Sequence, residues 1–147
     1  MKVSTPFLAY LPAFSFGDDA LVLIADRSTI EWLMFNFGEL ASTAVDSNNA
    51  GFVIGNGKPV ESDDQCLLSF ELNHRANGSE LVRESETRFR WILSPSSANH
   101  YRDLLSGMSE SEHACHQYLD PDNSPPAPGL IVTFGEYEAD AFRRRKV

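Results

Sequence analysis

The chain has 147 residues, with 12 basic against 21 acidic side chains and a net charge of −9. That length suits one domain rather than two, and 42% hydrophobic residues, ten phenylalanines among them, supply enough apolar surface to exclude disorder as the dominant state. The charge argues against nucleic acid as a partner, because a polyanionic backbone is repelled by such a surface.

The acidity is uneven. Residues 1–82 carry four basic and eleven acidic side chains, whereas residues 83–147 carry eight and ten. The one basic run, Arg143-Arg144-Arg145-Lys146, reads as part of a solvated tail over 140–147. Two cysteines, Cys66 and Cys115, are too few for a disulfide framework. Pro6 and Pro12 interrupt the N-terminal stretch that a signal peptide would need, and no run approaches the roughly 18 apolar residues of a membrane-spanning helix. The expected location is the reducing cytoplasm, where the Asn77-Gly78-Ser79 glycosylation pattern has no role.

In chain order, residues 1–16 mix Phe7, Tyr10, Phe14 and Phe16 with two prolines, a pattern that predicts an edge segment or packed arm. Residues 21–25 form a short apolar run and predict a buried strand. Asp26 and Ser28 both offer helix caps, Ser28 making a capping-box pattern with Glu31, and Ile30, Leu33, Phe37 and Leu40 then recur at helical spacing, so a helix should run to about 41–44. Trp32 and Phe35 widen its apolar surface beyond one stripe. Residues 52–54 predict a short strand, and Gly55-Asn56-Gly57 a turn rather than a phosphate loop, since the Walker spacing is incomplete.

Leu68, Phe70 and Leu72, and then Phe89, Trp91 and Leu93, alternate with other residues at a period of two and predict two strands. With Asn77-Gly78 between them they read as one long antiparallel hairpin, in which Glu71 would face Arg88 or Arg90. Ser94-Pro95 opens a second helix carrying Ala98, Tyr101, Leu104, Leu105 and Met108. Strands are expected over 115–119 and 130–137, separated by a proline-rich loop. No internal repeat and no linker is evident. Helices that do not alternate with strands predict an α+β fold, a single domain over 1–147 with two helices packed on a mostly antiparallel sheet.

The candidate chemistry is sparse. His113, Cys115 and His116 are metal-ligand types or a cysteine–histidine pair, but adjacent strand residues point to opposite faces and the three or four ligands of a zinc site are not signalled. Serine-hydrolase, Rossmann and kinase motifs are absent, so no enzyme activity and no cofactor is expected. What remains is acidity, at Asp46, Glu61, Asp63, Asp64, Glu71 and Glu80 among others, which steers a basic protein into encounter. Trp32 and Phe35 are the candidate aromatic anchors, with Asp63, Asp64 and Glu71 as charged contacts. The alternatives are a small metal-binding protein or enzyme using His113, Cys115 and His116, and an oligomeric module built on edge strands.

Two stretches carry a resemblance. Ile24-Ala25-Asp26 leading into Ile30, Leu33 and Leu40 is one. The other is His113-Ala114-Cys115-His116-Gln117-Tyr118-Leu119-Asp120 followed, after a proline-rich gap, by Ile131-Val132-Thr133-Phe134-Gly135-Glu136-Tyr137. Together they resemble immunity proteins of bacterial toxin systems, over about a third of the chain. The resemblance implies a small cytoplasmic protein that inhibits a cognate toxin by binding it, and assigns no residue a role by position.

Overall fold

The computed structural model describes residues 6–15, 18–44, 50–55, 57, 60–124 and 127–136, the side chains of 13–15, 18 and 64 excepted. Along the chain run β1 (Phe7–Ser15), β2 (Asp18–Ala25), α1 (Arg27–Ala41), β3 (Gly51–Ile54), β4 (Glu61–Ser62) and a 3₁₀ turn (Asp63–Gln65). There follow β5 (Leu67–Leu72), β6 (Ser79–Arg83), β7 (Arg88–Leu93), α2 (Pro95–Ser109), β8 (Cys115–Leu119) and β9 (Gly129–Phe134). The fold is α+β, with two helices packed on sheets whose pairings are mostly antiparallel. The strands divide between two sheets, in the orders β4-β1-β2-β9-β8 and β3-β5-β7-β6.

The apolar run at 21–25 is a strand buried on both faces. Leu21, Leu23 and Ala25 join the main core, while Ala20, Val22 and Ile24 are as deeply buried on the far face with Phe7, Ala9 and Ile131. Double burial produces a continuous apolar run instead of alternation. The expected arm at 6–16 is a strand for the same reason: β1 pairs with β2 on one side and β4 on the other, and Leu8 enters the core. Of the proposed arm, residues 1–5 and 16 lie outside the described residues, as does the tail at 140–147.

α1 buries Ile30, Leu33, Phe37 and Leu40, the stripe that its spacing predicts. Of the two caps that the sequence offers, Asp26 is the one used, and the Ser28–Glu31 box is not formed. Ser28 is already inside the helix, and Asp26 accepts from the Thr29 amide at 2.7 Å and from the Thr29 and Ser28 hydroxyls at 2.6 and 3.0 Å. Burial pushes the Asp26 carboxyl up, but these hydrogen bonds outweigh it and hold the group below its ordinary range. α2 follows the expected pattern, with Ser94 accepting from the Ser97 amide at 3.1 Å and Pro95 at the first helical position.

The predicted long hairpin over 66–93 is replaced by a different path. β5 and β7 are parallel neighbours, and β6 pairs antiparallel on the far side of β7. The chain over 73–78 wraps the end of β7, where Asn73 N–H donates to Leu93 O and Ser94 N–H to Gly78 O. Glu71 and Arg90 still meet, at 3.2 Å, as an ion pair without hydrogen-bond geometry. A half-exposed pair of this kind contributes about 0–1 kcal/mol.

The topology contains a repeat that the sequence reading missed. Each half runs strand–strand–helix–strand–strand: β1-β2-α1-β3-β5, with β4 and the 3₁₀ turn inserted, then β6-β7-α2-β8-β9. Each sheet takes the first pair of one half and the last pair of the other, joined by the parallel contacts β2–β9 and β5–β7. The caps Asp26 and Ser94 stand 68 residues apart (94 − 26), and so do the core positions: Ile30 and Ala98, Leu33 and Tyr101, Phe37 and Leu105, Leu40 and Met108. None of these four pairs is identical, which hides the repeat.

Replacing Asp26 with alanine should destabilise the fold by about 1 kcal/mol at neutral pH, measured by urea unfolding. Because the folded carboxyl titrates below the ordinary value of 3.8, its contribution is present above that value and is lost as the pH falls through the lower folded one. The difference between wild type and Asp26→Ala should therefore shrink in acid.

Candidate functional site

The two helices pack antiparallel. Arg27 at the start of α1 donates to the carbonyls of Ser109 (2.5 Å) and Ser111 (2.9 Å) at the end of α2. It thereby satisfies carbonyls that the helix leaves open and adds positive charge where the helix dipole favours it. Farther along, Arg102 of α2 lies beside Gly38 of α1, where a Cβ would meet Arg102 Cδ at an ordinary contact distance of 3.5 Å. The helices thus form one layer whose outer side faces solvent.

On that side α1 presents Arg27, Ser28, Glu31, Phe35 and Glu39. Glu31, Phe35 and Glu39 are four residues apart and so share one face. Phe35 is 65% exposed, the most open large apolar side chain among the described residues. The residue 68 positions on, at the matching place in α2, is the exposed Asp103. A polar side chain suits this position, and the first half carries a phenylalanine there instead. The arrangement offers an aromatic anchor between carboxylates, with Asp103 on the adjoining helix.

The other residues singled out from the sequence are dispersed. Trp32 is half-buried, its ring edge-on to Phe52 of β3 at 5.6 Å, so it is a packing residue beside the exposed face. Asp63 lies in the 3₁₀ turn, and the Asp64 side chain is outside the described residues. Glu71 sits on the face of β5 away from the helices, engaged with Arg90. Cys115 is half-buried against the core, whereas His116, next in the strand, is exposed with Nδ1 3.0 Å from Glu136. His113 lies before the strand, where its amide donates to Ser111 Oγ. His113, Cys115 and His116 are not brought together, and among the described residues no group of three or more His, Cys, Asp or Glu side chains is placed to hold a metal.

Two polar clusters escaped the sequence reading because their members are far apart in the chain. In the first, Tyr10 donates to Asp19, and Arg83 lies over the Tyr10 ring at 4.5 Å and donates to its oxygen at 3.2 Å. Burial and the Asp19 bond raise the Tyr10 phenol, and the cluster clasps the two sheets. In the second, Tyr101 donates to Asp120 O at 2.8 Å, which commits its only proton, so the Ser79 hydroxyl donates to Tyr101 at 2.6 Å. Burial dominates there and pushes the Tyr101 phenol to about 12, against a weaker lowering by the Ser79 bond. Beside this cluster lies an open hollow of about 380 Å³, lined by Asn73, Asn77, Ser79, Glu80 and Asp122 among others. Asp122 is already bound to the Ser79 amide at 2.8 Å, so the hollow is furnished for structure.

No protein family, curated protein or solved structure matches this chain. The reading of its surface therefore stands on geometry and charge.

Tyr101→Phe should lower stability by about 1–2 kcal/mol, because Ser79 and Asp120 each lose a partner in a buried setting. The raised phenol also contributes stability that is present below the ordinary phenol value of 10.0 and is lost as the pH rises to about 12. The free energy of unfolding measured across that range should fall more steeply for wild type than for Tyr101→Phe.

Proposed function

We propose that this chain is a non-catalytic, acidic binding domain whose α1 outer face receives a basic protein, and that its concrete form is an immunity protein that inhibits a bacterial toxin in the cytoplasm. The observation that carries the reading is Phe35, 65% exposed between Glu31 and Glu39. An exposed aromatic ring gives a large contact area for little ordering of side chains, and interface energy concentrates on such anchors. The flanking carboxylates, with the net charge of −9, accelerate encounter with a positive surface and disfavour acidic competitors. Among the described residues no helix is long and apolar enough to cross a membrane.

The test begins with capture from host lysate and then moves to the purified partner. A basic protein should bind with an affinity that falls as salt rises. Phe35→Ala should weaken it by about 2 kcal/mol, a factor of roughly 30, without loss of fold. Glu31→Lys with Glu39→Lys should slow association at low salt. Growth arrest by the partner alone, relieved by co-expression of wild type but not of Phe35→Ala, is the outcome expected of a toxin inhibitor. Binding that ignores both sets of substitutions would place the contact elsewhere and overturn the proposal.

A further inference from the structure

Two asparagine–glycine pairs occur in the chain, Asn56-Gly57 and Asn77-Gly78. Such a pair can cyclise, because the glycine nitrogen reaches the asparagine side chain and glycine has no Cβ to obstruct the approach. The two pairs differ in what the glycine nitrogen is doing. Gly57 N–H donates to Val60 O at 3.1 Å, so that nitrogen is committed to a turn, while Asn56 itself lies outside the described residues. Gly78 N–H donates to no hydrogen bond among the described residues, although the Gly78 carbonyl accepts from Ser94 N–H at 2.8 Å. Asn77 is exposed, and both Asn77 and Gly78 line the open hollow beside Asp122.

The fold also requires glycine at 78. Its φ is +150°, and a Cβ there would collide with the Asp122 carboxylate, whose Oδ2 receives Ser79 N–H at 2.8 Å. A side chain at this position would slow cyclisation by crowding the nitrogen, and the contact that secures the start of β6 forbids one. The reactive dipeptide is thus kept in place by the structure around it.

We infer that Asn77 is a site of spontaneous deamidation, which proceeds through a succinimide formed with Gly78. The Gly78 nitrogen bonds to Asn77 Cγ, the Cγ–Nδ2 bond breaks, and the proton lost from Gly78 leaves with Nδ2 as ammonia. Water then opens the ring at one carbonyl or the other, giving aspartate or isoaspartate. Isoaspartate adds one carbon to the main chain. That carbon falls within the 73–78 wrap, where Asn73 N–H to Leu93 O and Ser94 N–H to Gly78 O hold the end of β7. Either product also sets a new carboxylate in the hollow with Glu80 and Asp122, where like charges repel. The reaction therefore loosens this end of the smaller sheet as the protein ages. The inference is independent of the helix-face proposal, because it uses neither α1 nor a partner.

The second pair makes the test specific. The full chain is aged at neutral pH, folded and in denaturant, and its peptides are followed by mass spectrometry. In denaturant both pairs should react at similar rates. In the folded chain Asn77 should react at least about five times faster than Asn56, since freeing the Gly57 nitrogen costs a backbone hydrogen bond. The Asn77 peptide should appear in aspartate and isoaspartate forms, and the aged fraction should unfold at a lower urea concentration than fresh protein. Asn77→Gln, which lacks the five-membered route, should stay unmodified and keep its midpoint through the same ageing. Asn56 reacting as fast as Asn77 in the folded chain, or Asn77 reacting in denaturant but not when folded, would overturn the inference.

Discussion

The structure depends on the packing of one ring. Phe37, fully buried on α1, stands edge-on to Phe52 of β3 (5.1 Å), Phe70 of β5 (5.0 Å) and Tyr101 of α2 (5.7 Å). Phe70 stacks on Trp91 of β7, and Trp91 meets Tyr101 edge-on. One connected set of rings therefore ties α1, α2 and three strands of the smaller sheet. Offset and edge-on pairs each add about 0.5–1.5 kcal/mol beyond area burial, and these contacts link elements distant in sequence. Three of the ten phenylalanines, Phe37, Phe52 and Phe70, meet here.

That ring set matters because of how the chain is threaded. Each half gives its second strand pair to the other half's sheet, and both junctions are parallel. A half on its own would lack the partner for a central strand and would expose the inner face of its helix. The antiparallel helix pair and the shared rings are where the exchange is secured. The helix layer also leaves one broad surface open, and there the repeat is broken by Phe35 where α2 has Asp103. Departure from the internal pattern at an exposed position gives Phe35 more meaning than exposure alone.

Much of this was legible from local signals. Both helices followed from spacing and caps, because Ile30, Leu33, Phe37 and Leu40, and Ala98, Tyr101, Leu105 and Met108, obey a period that only a helix satisfies. Strands β5 and β7 followed from period two. What local signals do not encode is partner choice: the alternation in β5 and β7 is the same for parallel and antiparallel neighbours, so a hairpin was expected where β6 intervenes. The arm became β1 because its prolines were weighed above Phe7, Leu8 and Ala9, all of which are buried. The candidate contacts were only partly legible. Trp32 and Phe35 lie on one helix, but whether a ring is covered depends on Phe52, some twenty residues on. Glu71 and the Tyr10–Asp19–Arg83 clasp depend on sheet register, which no short stretch specifies.

The central claim is that two interleaved halves share one core and unfold as a unit. It is tested most directly by denaturant unfolding of wild type and Phe37→Ala with fluorotryptophan at Trp32 in the first half and Trp91 in the second, read as separate resonances. Phe37→Ala should cost about 3–5 kcal/mol and move both resonances together to a lower midpoint. Separate transitions at Trp32 and Trp91, or a Trp91 midpoint that does not move, would contradict it.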